Sequence, residues 1–237
     1  MDGCTGYGMQ WVAGGLQGAG AQQQRIDNGI ASVVTTTSLT ASQLFRIGND
    51  VHFCADITYA NMQSLLKTLM EAEADSLAAL DAVKEAVDKC PADKRKLVDL
   101  STIAAKPIVL HLTTLGGVVH AALGMVDRIK RMKVPVHTVV AGYVASAGTL
   151  LSMCGAKRFI TPSSFMMVHE LRSGFWGKYS DTREHLGNMD KLMALIVRFY
   201  TTHSKLPEAG LQELLSRDRD WDADESLAHG LVDEVLR

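Results

Sequence analysis

The sequence predicts an α/β fold in which parallel strands alternate with helices. Three observations carry that reading. From residue 107 onward, short apolar runs of strand length alternate with segments whose apolar residues recur every 3.6 positions. Gly/Ala/Ser-rich turns separate strand from helix near Gly116 and again over residues 145–148. The composition, 47% apolar and 21% charged over 237 residues, suits one substantial core. Strand, helix, strand, helix, strand in that order implies parallel pairing with right-handed crossovers.

Residues 1–43 differ from the rest. Seven glycines precede Ala21, Gln22, Gln23 and Gln24 follow, and residues 32–42 are rich in Ser and Thr. This composition predicts a flexible or conditionally ordered arm, with Trp11 and Val12 as its apolar means of docking. From residue 44 the pattern is globular: residues 45–47 and 51–53 read as strands about the turn-forming Gly48, Asn49 and Asp50. Met62, Leu65, Leu66, Leu69 and Met70 then keep one helical face, and Leu77, Leu80, Val83 and Val87 a second, up to Cys90 and Pro91.

Residues 107–112 form a buried strand, followed by Gly116, Gly117 and a helix through Leu123, Val126 and Ile129. A strand over 134–140, a small-residue turn and a helix over about 146–153 come next, then strands at 158–160 and 165–168. A long helix over roughly 180–203 carries more apolar residues than one stripe requires. That content predicts either a core helix or a second face that meets another subunit. Short helices near 207–215 and 223–229 end the chain, the last closed by Gly230.

Several functions have no support. A formal charge of −2 provides no footprint for nucleic acid, and no apolar stretch approaches the ~20 residues that span a bilayer. Cys4, Cys54, Cys90 and Cys154 form no CxxC pair, so neither a disulfide framework nor a zinc knuckle is indicated. With no basic n-region and apolar h-region at the start, a soluble, cytoplasmic chain is expected. His169 and Glu170 begin like a zincin helix, but Ser173 stands where the second ligand belongs. No glycine-rich run sits between strand and helix in a nucleotide-binding pattern, so no cofactor and no metal are expected.

One constellation does carry chemistry. Ser146, within Ala145, Ala147 and Gly148, falls where a strand ends and a helix begins, so a hydroxyl is exposed beside free amides. Alone, it reads better as a helix cap. His169 at the end of the 165–168 strand could serve as its base. Asp218 could orient that imidazole, with Asp220 and Asp222 as near competitors. Gly117, at another strand-to-helix turn, and the Ala147 amide would face a developing oxyanion. Sites of open α/β sheets are expected at such strand ends.

These blocks, with residues 155–159, Met167, Val168, Arg217, Arg219, Glu225 and 230–233, resemble the proteolytic subunit of the Clp protease in order and spacing, from about Phe45 to the end. The resemblance implies the ClpP/crotonase-type fold of repeated β-β-α units with a protruding handle helix. It also implies a Ser146, His169 and Asp218 triad with Gly117 and Ala147 as oxyanion donors. The long helix after Trp176 would be the handle joining two rings, with residues 174–179 as its adjoining strand. Protein or peptide substrates would be cut inside a homo-oligomer of stacked rings, fed by an ATP-driven (AAA+) unfoldase.

Departures from the family pattern are Thr113, Thr114 and Leu115 before the glycines, Glu170 and Leu171 after the histidine, a longer arm, and an inserted helical segment at about 76–105. The other readings are a non-catalytic assembly subunit, a phage or viral maturation protease of the same fold, and a crotonase-like acyl-CoA enzyme. A Ser-Lys peptidase would use Lys157.

Overall fold

The computed structural model describes residues 10–11, 43–95, 99 and 102–237. Strand β1 (Gln10–Trp11) is the described part of the N-terminal arm. The β-hairpin expected about Gly48 is present as β2 (Gln43–Ile47) and β3 (Asp50–Cys54), paired antiparallel. The two helical stripes expected beyond it form one continuous helix, α1 (Tyr59–Asp88). Thr58 caps its start by accepting from the Asn61 amide at 3.1 Å. No glycine or proline interrupts residues 59–88, so nothing in the sequence ends the helix between the stripes. Met62, Leu65, Leu69, Ala72 and Ser76 are its buried residues, so only the first part of the helix packs on the core. A short α2 (Ala92–Arg95) follows.

The sheet then alternates with helices: β4 (Ile108–Thr114), β5 (Gly117–Val118), α3 (Val119–Ile129), β6 (Val136–Ala145), α4 (Ala147–Met153), β7 (Arg158–Ile160) and β8 (Phe165–Val168). Among the described residues an eight-stranded sheet runs β10-β7-β6-β4-β3-β2, with β8 pairing β6 and β9 pairing β8. Pairings β3–β4, β4–β6, β6–β7, β6–β8 and β7–β10 are parallel, which is the α/β architecture. In β4, Ile108, Leu110, Leu112 and Thr114 are buried while Val109, His111 and Thr113 are half-buried, so the core lies on one face.

Strand β6 is longer than the periodicity predicts. It pairs with β7 through Thr138–Val140 and then, past Ala141 and Gly142, with β8 through Tyr143–Ala145. A register shift against β4 between Leu112 and Thr114 accompanies the change of partner. Ala141 and Gly142 look like the start of a turn, but β8 supplies a ladder for Tyr143–Ala145 and the chain remains extended.

Helix α5 (Tyr179–His203) buries Leu192, Ile196, Val197, Phe199 and Tyr200, all in its second half. The adjoining strand that the family resemblance implies at residues 174–179 does not form: the chain between β8 and α5 has no strand pairing. After α6 (Leu211–Leu215) comes a strand that the sequence reading did not anticipate, β9 (Arg219–Trp221), antiparallel to β8. Trp221 is 1% exposed and anchors it. Helix α7 (Ala223–Ala228) begins with a capping box between Asp222 and Glu225, and Gly230 follows at φ 72° before β10 (Glu234–Val235).

Candidate active site

Three neighbouring strands end together. Register places Thr114 of β4 beside Val144 of β6, and Ala145 of β6 beside Met167 of β8. The next residues in each chain therefore converge: Gly116 and Gly117 from β4, Ser146 from β6 and His169 from β8.

Among the described residues, Ser146 is the non-glycine with positive φ, at φ 60° and ψ −129°. Such a backbone turns the chain sharply from β6 into α4. Its N–H donates to Met167 O at 2.8 Å, and its carbonyl accepts from the Thr149 amide at 3.0 Å. Gly116 makes room: at φ 97°, a Cβ there would lie 2.6 Å from Ser146 Cβ and 3.0 Å from Ser146 Oγ. As a result, the serine caps no amide of its helix with its side chain. Its Oγ instead lies 2.8 Å from His169 Nε2.

Both side chains are fully buried. Burial first, and then the Arg172 guanidinium, push the imidazole down to about 4, against an opposing pull from Asp218. At neutral pH His169 is uncharged, and with its proton on Nδ1 the Ser146 hydroxyl donates to Nε2. Asp218 Oδ1 stands 3.9 Å from His169 Nδ1, beyond hydrogen-bond length, while its Oδ2 pairs with Arg172.

The three neighbouring aspartates have separate partners. Asp220 Oδ1 accepts from the Tyr143 hydroxyl at 2.7 Å, and Asp222 caps α7. Asp218 is thus the one of the three beside the imidazole. Glu170 is exposed, and its amide donates to Leu215 O at 2.6 Å. Arg172 lowers the imidazole pKa of His169 and Asp218 raises it.

Around Gly117 the strand geometry sets the amide's direction. Gly116 O accepts from Ile57 N at 2.7 Å and Val118 N donates to Ile57 O at 2.8 Å, so Gly117 turns its own N–H and C=O to the opposite edge. That edge carries β1, with Trp11 opposite Gly117 and Gln10 opposite Val118. The Ala147 amide opens α4, where the first N–H groups of a helix have no intrahelical acceptor.

Other candidates stand elsewhere. Lys157 is exposed in the loop before β7, and register sets its neighbour Arg158 opposite Thr138. Ser146 lies eight residues further along β6, about 26 Å away at strand rise, so Lys157 does not pair with Ser146. His111 Nε2 sits 3.0 Å from Asp50 Oδ1 and stacks on His52, within the β3–β4 pair. His185 meets Ser173 Oγ at 3.0 Å. Cys154 is buried, its thiol pushed up to about 12, chiefly by burial. Among the described residues no group of three His, Cys, Asp or Glu could hold a metal, and no helix is long and apolar enough to cross a membrane.

Sequence reasoning missed Arg172, Thr149 and Tyr200. Thr149 Oγ1 lies 2.7 Å from Ser146 O and 2.5 Å from Tyr200 Oη. An arginine three residues after a candidate base was a signal within reach. The Thr149–Tyr200 contact spans 51 positions and left no pattern to read.

Parallel strands, with a serine turning the longest of them into a short helix, place the protein in the class of ClpP-type α/β folds. A family model for Clp protease matches residues 82–237, about two thirds of the chain, and the chain belongs to that peptidase family. The match begins inside α1, so the β2–β3 hairpin precedes it.

Proposed function

We propose that this protein is a serine endopeptidase of the Clp type. The observation that carries the reading is the 2.8 Å approach of Ser146 Oγ to a buried, uncharged imidazole, on a backbone turned to present that hydroxyl. His169 Nε2 takes the Ser146 proton as Oγ attacks a peptide carbonyl carbon. The amides of Gly117 and Ala147 hold the resulting oxyanion. The imidazolium returns the proton to the leaving amine, and an acyl-enzyme remains on Ser146. Water, deprotonated by His169, releases the acid. Asp218 keeps the Nδ1–H tautomer, which requires it to close from 3.9 Å to roughly 3 Å.

Family membership supports substrates that are proteins or peptides, and an assembly of stacked rings fed by an AAA+ unfoldase. No cofactor enters the reaction as drawn, and a cytoplasmic setting suits it. A second reading, a non-catalytic assembly subunit, is favoured by one observation: Arg172 holds the Asp218 carboxylate that the imidazole needs. A crotonase-like use of the fold leaves the Ser146–His169 bond without a role.

A fluorophosphonate serine probe tests the reading. Wild type is expected to label, and Ser146→Ala and His169→Ala are expected to lose labelling in particles of unchanged size. A well-assembled wild type that stays unlabelled would transfer the case to the assembly subunit.

A further inference from the structure

We propose that Tyr200 is a positioning residue for Ser146, acting through the Thr149 hydroxyl. This inference rests on the serine peptidase reading above and goes beyond the triad. It begins from the backbone of Ser146. At φ 60° and ψ −129° the residue lies in a region that side-chain-bearing residues rarely occupy. A conformation of that kind is strained and persists only where its surroundings over-determine it.

Two peptide planes flank Ser146, and each is held. On one side its N–H donates to Met167 O at 2.8 Å. On the other its carbonyl accepts twice from Thr149, from the amide at 3.0 Å and from Oγ1 at 2.7 Å. A hydroxyl has one proton, and Thr149 places its proton on Ser146 O. The 2.5 Å contact between Thr149 Oγ1 and Tyr200 Oη must therefore run the other way, with the phenol donating. The chain of donors is Tyr200 Oη to Thr149 Oγ1 to Ser146 O.

Thr149 and Tyr200 are both fully buried, so neither hydroxyl can exchange this partner for bulk water. Burial also raises the phenol's pKa, so it remains a protonated donor across the working pH range. Donation to Oγ1 fixes the Thr149 rotor and polarises the bond it makes to the serine carbonyl. Without it, Thr149 keeps a lone pair unmet in the core, and the second plane of Ser146 loses its support. The position also matters. Tyr200 sits in the last turn of α5, and no residue in the first half of that helix is fully buried within the protomer. A displacement of α5 thus reaches the nucleophile through two hydrogen bonds.

A purely structural tyrosine would join α5 to α4 and affect stability alone. The two roles separate in a comparison of the full-length wild type with Tyr200→Phe, Thr149→Val, Thr149→Ser and the double variant Tyr200→Phe/Thr149→Val. The readouts are fluorophosphonate labelling rate, peptidase kcat and KM, melting temperature and particle size. Tyr200→Phe and Thr149→Val are each expected to lower kcat and labelling about 5- to 10-fold with KM unchanged, as the loss of one buried hydrogen bond in the activated state requires. The double variant should be no slower than Thr149→Val, and Thr149→Ser should recover most of the rate.

Wild-type labelling by Tyr200→Phe, effects that multiply in the double variant, or Thr149→Ser as slow as Thr149→Val would each overturn the proposal while leaving the peptidase reading intact. An assembled wild type that does not label overturns both. If Tyr200→Phe fails to fold, the Thr149→Ser and Thr149→Val pair decides.

Discussion

His169 is where the electrostatics of the site concentrate. Its imidazole is held down at about 4 by burial and by Arg172, so it is ready to accept a proton throughout the neutral range. The acid limb of kcat/KM is therefore expected well below the ordinary histidine value of ~6.5. Arg172→Gln removes a cation that lowers the imidazole pKa, and the limb should move up in pH. The same variant frees Asp218 from its guanidinium partner, so labelling of Ser146 at pH 8 should rise severalfold, measured as a second-order rate. The stability consequence has a definite sign. A histidine with a folded pKa below its unfolded value binds fewer protons when folded, so its contribution is complete above ~6.5 and is lost as pH falls toward 4. Melting temperature should fall across that window, and fall less in His169→Gln.

Elements matter here mainly through where they end. Gly116 is the example beside the nucleophile, because a Cβ at φ 97° would press within 2.6 Å of Ser146 Cβ. Gly116→Ala is expected to fold and to reduce labelling by about 100-fold, the scale at which a 1 Å displacement of a reacting group is felt. Circular dichroism beside the labelling rate checks both halves. The edge of β5 is a second case. Strand β1 lies along the edge to which Gly117 directs its N–H, and an extended substrate chain would need the same main-chain groups. A chain lacking residues 1–11 should therefore turn over short peptides with a lower KM.

At the scale of the whole molecule, the exposed half of α5 stands out. Trp176, just before α5, is 95% exposed, and on the helix Tyr179 is 79% and Leu186 58% exposed, large apolar surfaces turned to solvent in the protomer. On the stacked-ring assembly proposed above, Leu186→Glu is expected to shift gel filtration from a particle many times the protomer mass toward smaller species, without changing protomer secondary structure. Much of this architecture was legible from residues alone. The α/β class follows from the alternation of apolar runs with helical periodicity, and Ser146 and His169 stand out as hydroxyl and imidazole at strand ends. Periodicity records which face of an element is buried, and that is a local property. It does not record which strand pairs with which. The full length of β6, the presence of β9 and the missing strand before α5 were therefore settled by pairing partners far away in sequence. The same distinction governs the site. Sequence by itself determined the class of fold and the residue types that converge. Tertiary structure decided that Asp218 pairs with Arg172 at the expense of His169, and that Tyr200 reaches Thr149. Those contacts depend on hydrogen bonds across 46 and 51 positions, distances over which chain pattern carries no geometry.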